Sequence, residues 1–413
     1  MLKEGYKKTE VGVIPEDWEV CLLSEISEIN PRKELLDDDE LVSFIPMEQV
    51  SNGGRILNIE KKKYESVSKG YTPFKNNDVL LAKITPCFEN GKRALVKELD
   101  TKAGFGSTEF HVLRSNRKSL PEYLYYCISA HRFRELAQLN MTGSAGQKRV
   151  PTIFIKEYKL PVPPLREQEK IAEILSTVDC QIDDTEKLIE KCRVLKKGLM
   201  QRLLTKGIGH SEFKKSEVGE IPVGWGVKTI GEICELINGR AFKPQEWRED
   251  GIPIIRIQNL NGSEDFNYYE GDIDSKYLVS KDDLLFSWSG SRGTSFGPHI
   301  WKGINGVLNQ HIFKVILKDD TDIEKNFFYY NLKYITEKIE KEAHGSAGLV
   351  HITKGALEKI KLVVPELEEQ IKISQILYSL DNELQINIRK RKQLESLKKG
   401  LMQQLLTGKI RTL

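Results

Sequence analysis

One ten-residue stretch occurs twice in this chain. Lys196-Lys197-Gly198-Leu199-Met200-Gln201-Arg202-Leu203-Leu204-Thr205 returns as Lys398-Lys399-Gly400-Leu401-Met402-Gln403-Gln404-Leu405-Leu406-Thr407, and only Arg202 against Gln404 differs. Each copy closes a run of apolar residues at mostly three- and four-residue steps, over 165–205 and 367–407. A helix of about 41 residues is roughly 60 Å long. A seam sustained over that length requires a partner helix. A repeat of this size also exceeds the period of about 20–50 residues found in solenoids. The pattern therefore predicts a duplicated unit, each copy a globular domain followed by a long helix.

The rest of the chain repeats the frame. The lead-in Lys7-Lys8-Thr9-Glu10-Val11-Gly12-Val13-Ile14-Pro15-Glu16-Asp17-Trp18 matches Lys214-Lys215-Ser216-Glu217-Val218-Gly219-Glu220-Ile221-Pro222-Val223-Gly224-Trp225. The tryptophans are expected to anchor these lead-ins by packing. Short apolar runs cut by Gly, Asn and Pro, such as 42–46, 78–84 and 110–114, read as strands. Helices are expected over 122–139 and 324–342. The tetrapeptide Gly-Ser-Ala-Gly follows each, at 143–146 and 345–348, and short strands at 157–162 and 359–364 come next. The boundaries expected are a first globular domain at 1–164, a helix at 165–206, a second domain at 207–366 and a helical segment at 367–413. The fold class is α+β, two similar domains joined by an antiparallel two-helix coiled coil.

Charge supplies the direction of pairing. Residues 166–186 carry seven acids and two bases, whereas 187–206 carry one acid and seven bases. The second helix repeats this, with five acids and one base over 366–387 and one acid and six bases over 388–407. The helix dipole favours such a bias only within the terminal turns. Laid antiparallel, acidic half meets basic half at both ends. Gly198 and Gly400 stand inside the helical pattern at a cost of about 1 kcal/mol each. Close approach of the twin helix or of a docked subunit would account for them.

Motifs for chemistry are missing from the sequence: it contains no phosphate-binding loop, no G-x-G-x-x-G and no H-E-x-x-H. The six cysteines are scattered without a Cys-x-x-Cys pair, and the seven histidines lack ligand spacing. No metal, no bound cofactor and no catalytic residue is expected. No stretch has the length of a membrane span, and a cytoplasmic location is expected. The formal net charge of +3 implies that any surface for nucleic acid is local.

The repeated frame contrasts with diverged loops. In the first half these are 83–93, with Lys83, Thr85, Asn90, Lys92 and Arg93, and Gln147-Lys148-Arg149. In the second half they are 287–295, with Ser289, Ser291, Arg292 and Thr294, together with Asn309-Gln310-His311 and His351. Arg, Lys, Asn and Gln are the side chains that read base edges, and small hydroxyls contact phosphate. Solvated turns offer the plain alternative for any single residue. Lys61-Lys62-Lys63 reads as a solvated hairpin or a phosphate contact, and Arg389-Lys390-Arg391-Lys392 as half of the charge complementarity.

Taken in order, these parts resemble the specificity subunit of type I restriction–modification systems. The resemblance covers essentially the whole chain. It rests on the two lead-ins, the Gly-rich turns, Pro163-Pro164-Leu165-Arg166-Glu167-Gln168 with Pro365-Glu366-Leu367-Glu368-Glu369-Gln370, and the two closing decapeptides. It implies a non-catalytic subunit whose two domains each read half of a split site in double-stranded DNA. The half-sites would lie about one helical turn apart, near 34–36 Å. The implied partners are two methyltransferase subunits and the restriction subunits, with S-adenosylmethionine, ATP and Mg on those partners. Isolated chains could pair through exposed helix surfaces. A protein-binding scaffold and a concealed nuclease are the competing classes.

Overall fold

The structure, a computed structural model, describes residues 4–144, 146–342 and 349–412. Ala145 and the whole second Gly-Ser-Ala-Gly turn at 345–348 lie outside the described residues. The chain divides into two compact units, Met1–Glu186 with Arg389–Leu413, and Lys187–Ile388.

The first unit is built on the strand Asp78–Ala82, an apolar run buried on both faces. Its alternate side chains serve two cores. Val79 and Leu81 pack with Tyr123, Leu124 and Ile128 of the helix Pro121–Ser129. Leu80 packs on the other side with Ile45, Phe74 and Val112. The strand belongs to an antiparallel sheet ordered Ser27–Ile29, Phe110–Ser115, Asp78–Ala82, Arg93–Leu95. A second sheet is ordered Glu60–Lys63, Leu41–Ile45, Gly104–Gly106, Thr72–Phe74. Its middle pair, Leu41–Ile45 with Gly104–Gly106, is parallel. Lys159–Val162 pairs with Glu19–Leu22, and a hairpin, Tyr6–Thr9 with Gly12–Pro15, opens the unit.

The second unit repeats this plan strand for strand. One sheet is ordered Cys234–Asn238, Ile312–Leu317, Leu284–Ser287, Gly297–Ile300. The other is ordered Asn267–Tyr269, Ile252–Ile255, Gly306–Leu308, Leu278–Val279, again with a parallel middle pair. Lys361–Val364 pairs with Gly226–Thr229, and the hairpin is Phe213–Ser216 with Gly219–Pro222. The fold is α+β, and its internal duplication extends to strand order and pairing direction.

Two long helices run Leu165–Lys206 and Leu367–Leu405. Inside the first unit the acidic residues 165–186 lie antiparallel to 389–405. Lys398 donates to Asp179 at 2.5 Å, Val178 and Ile182 pack on Leu394, and Ile171 and Leu175 share a core with Leu405 and Leu406. Inside the second unit Lys196 pairs with Asp381, and Ile373 and Leu377 pack with Met200, Leu203 and Leu204. Acidic half meets basic half in each unit, as the charge pattern requires, and the repeated Lys196/Lys398 supplies the cation both times. The first helix stops at Gly207 (φ 66°), in the left-handed region, and Gly408 (φ 68°) closes the turn that follows the end of the second.

Repeated polar hooks bind each domain to its helix. Trp18 Nε1 donates to Glu167 at 2.9 Å, and Trp225 Nε1 to Glu369 at 2.9 Å. Tyr126 donates to Asp179 at 2.9 Å, and Tyr330 to Asp381 at 3.0 Å. Gln168 bonds Leu120, Lys118 and Pro163 backbone groups, and Gln370 does the same at Glu324, Asp322 and Pro365. The tryptophans therefore have a hydrogen-bonding role besides the packing role expected of them.

Other expectations need correction. The helix expected over 122–139 is two, Pro121–Ser129 and His131–Leu139, because Ala130 is extended (ψ 141°) and begins the second. No breaker residue sits there, so tertiary packing overrides the high helix propensity of alanine. Its counterpart, Lys325–Glu342, is continuous. The second long helix ends at Leu405, and residues 406–412 turn back onto the first unit. There Tyr6 donates to the Gly408 carbonyl at 3.0 Å. Gly198 and Gly400 have no twin-helix neighbour: a Cβ at either would meet nothing within 4 Å among the described residues.

Candidate nucleic-acid interface

In the first unit the chain leaves Asp78–Ala82 into a loop, 83–92, wound by turn hydrogen bonds. Phe88 N donates to Ile84 O at 2.9 Å, and Asn90 N to Pro86 O at 2.9 Å. The buried Phe88 ring pins this loop to the core. Residues 147–150 run alongside it, Thr85 N donating to Lys148 O and Val150 N to Lys83 O, both at 2.9 Å. The two candidate loops of the first half are thus one surface.

On that surface Asn90, Gln147 and Lys148 are exposed and Lys83 is half-buried. The Thr85 hydroxyl donates to Glu89 at 2.8 Å, and Lys92 Nζ donates to the Met47 carbonyl at 2.9 Å. Arg149 grips Glu109 through Nε (2.9 Å) and Nη2 (2.8 Å). This hydrogen-bonded pairing holds the Glu109 carboxyl below its ordinary range and raises the guanidinium of Arg149. Arg93 does not belong to the surface. It is 8% exposed, donates to Ser129 and to the Gly91 carbonyl, and lies over the Tyr125 ring. It opens the strand Arg93–Leu95 with its side chain turned inward and ties the loop to the helix.

The second unit builds the same place differently. Ser289–Ser291 forms a strand against Leu349–His351, with Ser289 opposite His351. In the first unit the bridge at that point joins Ile84 and Arg149. Ser291, Arg292, Thr294 and His351 are exposed and Ser289 is half-buried. Arg292 and Thr294 sit on a turn closed by Ser291 N donating to Ser295 Oγ at 2.8 Å. Gln310 N donates to Asn309 Oδ1 at 2.9 Å, and Asn309 N donates to Ile255 O at 3.0 Å. The His311 ring lies 4.9 Å from that of Trp288.

Asn309 and His311 also line an open cavity of about 230 Å³ with Arg256, Ile257, Gln258 and Ile312. Arg256 and Gln258 were not expected. They follow an apolar run that resembles any buried strand, and the parallel pairing that brings them to Asn309 crosses about 50 residues of sequence. Among the described residues no group of three His, Cys, Asp or Glu is placed to hold a metal ion, and no helix is long and apolar enough to cross a membrane.

The comparisons with known proteins agree with this architecture. The family model described as "Type I restriction modification DNA specificity domain" matches twice, over residues 15–192 and 222–396. The type I restriction enzyme MjaVIII specificity subunit of Methanocaldococcus jannaschii is 31% identical over 427 residues, covering 99% of this chain and 96% of the relative. The EcoEI specificity subunit of Escherichia coli is 42% identical over 177 residues, 42% of this chain and 30% of that one. Among solved structures, the S subunit of a type I restriction–modification system from M. genitalium superposes with a TM-score of 0.59 at 18% identity, over 94% of this chain and 96% of that one. At that identity the likeness concerns the fold alone. The relatives are named specificity subunits, the non-catalytic recognition component of such systems. With two matched domains that together span well over half of the sequence, the chain belongs to the type I restriction–modification DNA specificity family.

Proposed function

We propose that this chain reads a bipartite, gapped site in double-stranded DNA, one half-site per recognition domain, and directs methyltransferase and restriction subunits to it. The observation that carries the reading is one strand frame used twice with different chemistry at its loop edge. Arg149 beside Ile84 in one unit answers to His351 beside Ser289 in the other. Identical frames with unlike contact residues suit two unlike half-sites, since base edges are discriminated by side-chain type and the frame only positions them. Exposed Asn90, Gln147 and Lys148 in one unit, and Ser291, Arg292, Thr294 and His351 in the other, lead the contacts proposed, with Lys83, Thr85, Lys92 and Arg149 beside the first set and Ser289, Asn309 and Gln310 beside the second. Arg93, buried against Ser129 and Tyr125, is not among them.

The chain would supply recognition, and two methyltransferase subunits would supply the chemistry together with S-adenosylmethionine. ATP and Mg would belong to the restriction subunits. Methylome sequencing of a host with and without the gene tests this. A modified, gapped, asymmetric motif should disappear with the gene, and its persistence would refute the reading. In a second test the assembled complex should lose duplex affinity steeply with salt, as phosphate-bound counterions are released. A flat salt response would favour a protein-binding scaffold.

A further inference from the structure

The parallel strand pair of the second unit creates a polar place that the exposed loops do not account for. Ile254 lies beside Val307 and Ile255 beside Leu308, so both chains leave the sheet at the same edge. Arg256 and Gln258 follow one strand, and Asn309 and His311 follow the other. Together they line the open cavity of about 230 Å³.

Its walls are fixed in advance. The Arg256 guanidinium stacks 4.8 Å from the Trp247 ring centre, and its Nη1 donates to Asn267 Oδ1 at 2.6 Å. Gln258 Nε2 donates to the Asp265 carbonyl at 3.0 Å. Next to Asn309, Arg240 is held between Phe242 and Tyr269, at 4.7 and 4.6 Å. Against this order, His311 Nδ1, Arg240 Nη1 and Trp247 Nε1 are buried without a hydrogen-bond partner among the described residues. Buried polar atoms are nearly always paired. Of the three, His311 lies on the cavity wall, while Arg240 and Trp247 stand behind its lining residues Asn309 and Arg256, and the unpaired imidazole nitrogen points to a polar ligand that enters the cavity.

The first unit shows what the same edge looks like with other residues. There Phe44 lies beside Phe105 and Ile45 beside Gly106. By register Pro46 stands where Arg256 does, Glu48 where Gln258 does, Ser107 where Asn309 does and Glu109 where His311 does. Glu109 is closed off by Arg149. All four positions differ between the units, whereas Ile45 and Ile255 beneath them are the same residue.

We infer that Arg256, Gln258, Asn309 and His311 form a base-reading pocket of the second unit, which takes the major-groove edge of a guanine-containing base pair, with Arg256 selecting the guanine. The inference rests on the DNA-recognition reading above. A planar, permanently charged fork, braced on one edge and stacked on an indole, suits the paired O6 and N7 acceptors of guanine. The amides and the imidazole are donors and acceptors for the neighbouring base edges. The cavity is smaller than the 300–1,000 Å³ usual for cofactors.

The test uses the full chain assembled with its methyltransferase partner and the motif found by methylation sequencing. Binding is read by fluorescence anisotropy on duplexes substituted at each base pair, at two salt concentrations. Arg256→Lys, which keeps the charge and loses the fork, should reduce discrimination roughly 10- to 100-fold at one G·C pair of one half-site. The other half-site and the salt dependence should stay unchanged. Equal weakening on every duplex with a shallower salt slope would make Arg256 a phosphate contact and overturn the inference, as would unchanged discrimination. Should Arg256→Lys unfold the unit through loss of the Trp247 stack, Gln258→Ala and Asn309→Ala carry the test, and unaltered discrimination in both overturns it. A wild-type complex that prefers no duplex at all would instead refute the DNA reading itself, and the inference with it.

Discussion

Arg411→Ala is the sharpest test of how the first unit is closed. Glu167 is fully buried, and its carboxylate accepts from Arg411 Nε (2.8 Å) and Nη2 (2.9 Å) and from Trp18 Nε1 (2.9 Å). Arg411 also pairs with Asp17 at 2.7 Å, and these hydrogen bonds raise the pKa of its guanidinium. Removing the arginine leaves a buried carboxylate with the indole donor and a long bond from the Thr412 amide at 3.3 Å. Losing one partner of a fully buried pair costs about 3–5 kcal/mol. The Arg411 side chain is 27% exposed, so water can enter its place, and about 2–4 kcal/mol is the expected loss. For a unit of this size that lowers the melting temperature by roughly 5–12 °C. Thermal unfolding, with hydrogen exchange to assign the transition to Met1–Glu186 and Arg389–Leu413, measures it. Adding Glu167→Gln to Arg411→Ala removes the uncompensated charge and should restore much of the stability. A loss below about 1 kcal/mol, or no recovery in the double variant, would refute the account of Glu167 as a charge that depends on Arg411.

Three further outcomes are expected. Gly198→Ala and Gly400→Ala should each stabilise the protein by up to about 1 kcal/mol, since a Cβ meets nothing at either place and glycine is costly inside a helix; a lowered urea midpoint would contradict this. His111 and His299 are held below the ordinary histidine pKa, chiefly by burial. The stability each contributes is present above the unfolded value near 6.5 and is lost as pH falls from there through the folded pKa. Urea midpoints should therefore drop between pH 8 and pH 5, less so in His111→Gln, and an identical pH profile in that variant would disprove the assignment. Arg292→Ala should relax specificity in one half-site roughly 10- to 100-fold, read from the methylated motifs of the variant, whereas weakening uniform across sequences would make it a phosphate contact.

The long helices and their antiparallel pairing were legible because period and charge persist over some forty residues, and a signal of that length survives local exceptions such as Arg391. The strands were legible as strands, but their partners were not. Ile254 meets Val307 and Phe44 meets Phe105 through hydrogen bonds that leave no period in the sequence. For that reason the sequence does not mark Arg256 and Gln258 as site residues. The inward turn of Arg93 is hidden for a related one. It ends a polar loop and begins a strand, and only the pleat decides that its side chain turns inward to Ser129. The Glu-Gln pair at the start of each long helix was read as part of a motif. Its work as a hook for Trp18 or Trp225 and for backbone groups near Leu120 or Glu324 depends on contacts 46–149 residues away.

The two units are equivalent in plan and unequal in time. Lys187–Ile388 is a continuous stretch, and its pairs, such as Trp225 with Glu369, close over 144 residues. The other unit is split, and Glu167 waits for Arg411 across 244 residues, all of the second unit among them. At a synthesis rate of about 5–20 residues per second, that wait lasts roughly 12–50 s. During it Ile171 and Leu175 lack the cover of Leu405 and Leu406, and the acidic half of the first helix lacks its basic partner. The second unit therefore has all its partners before the first does, leaving the earlier-made one as the species on which chaperones, or a neighbouring chain's basic helix, have time to act.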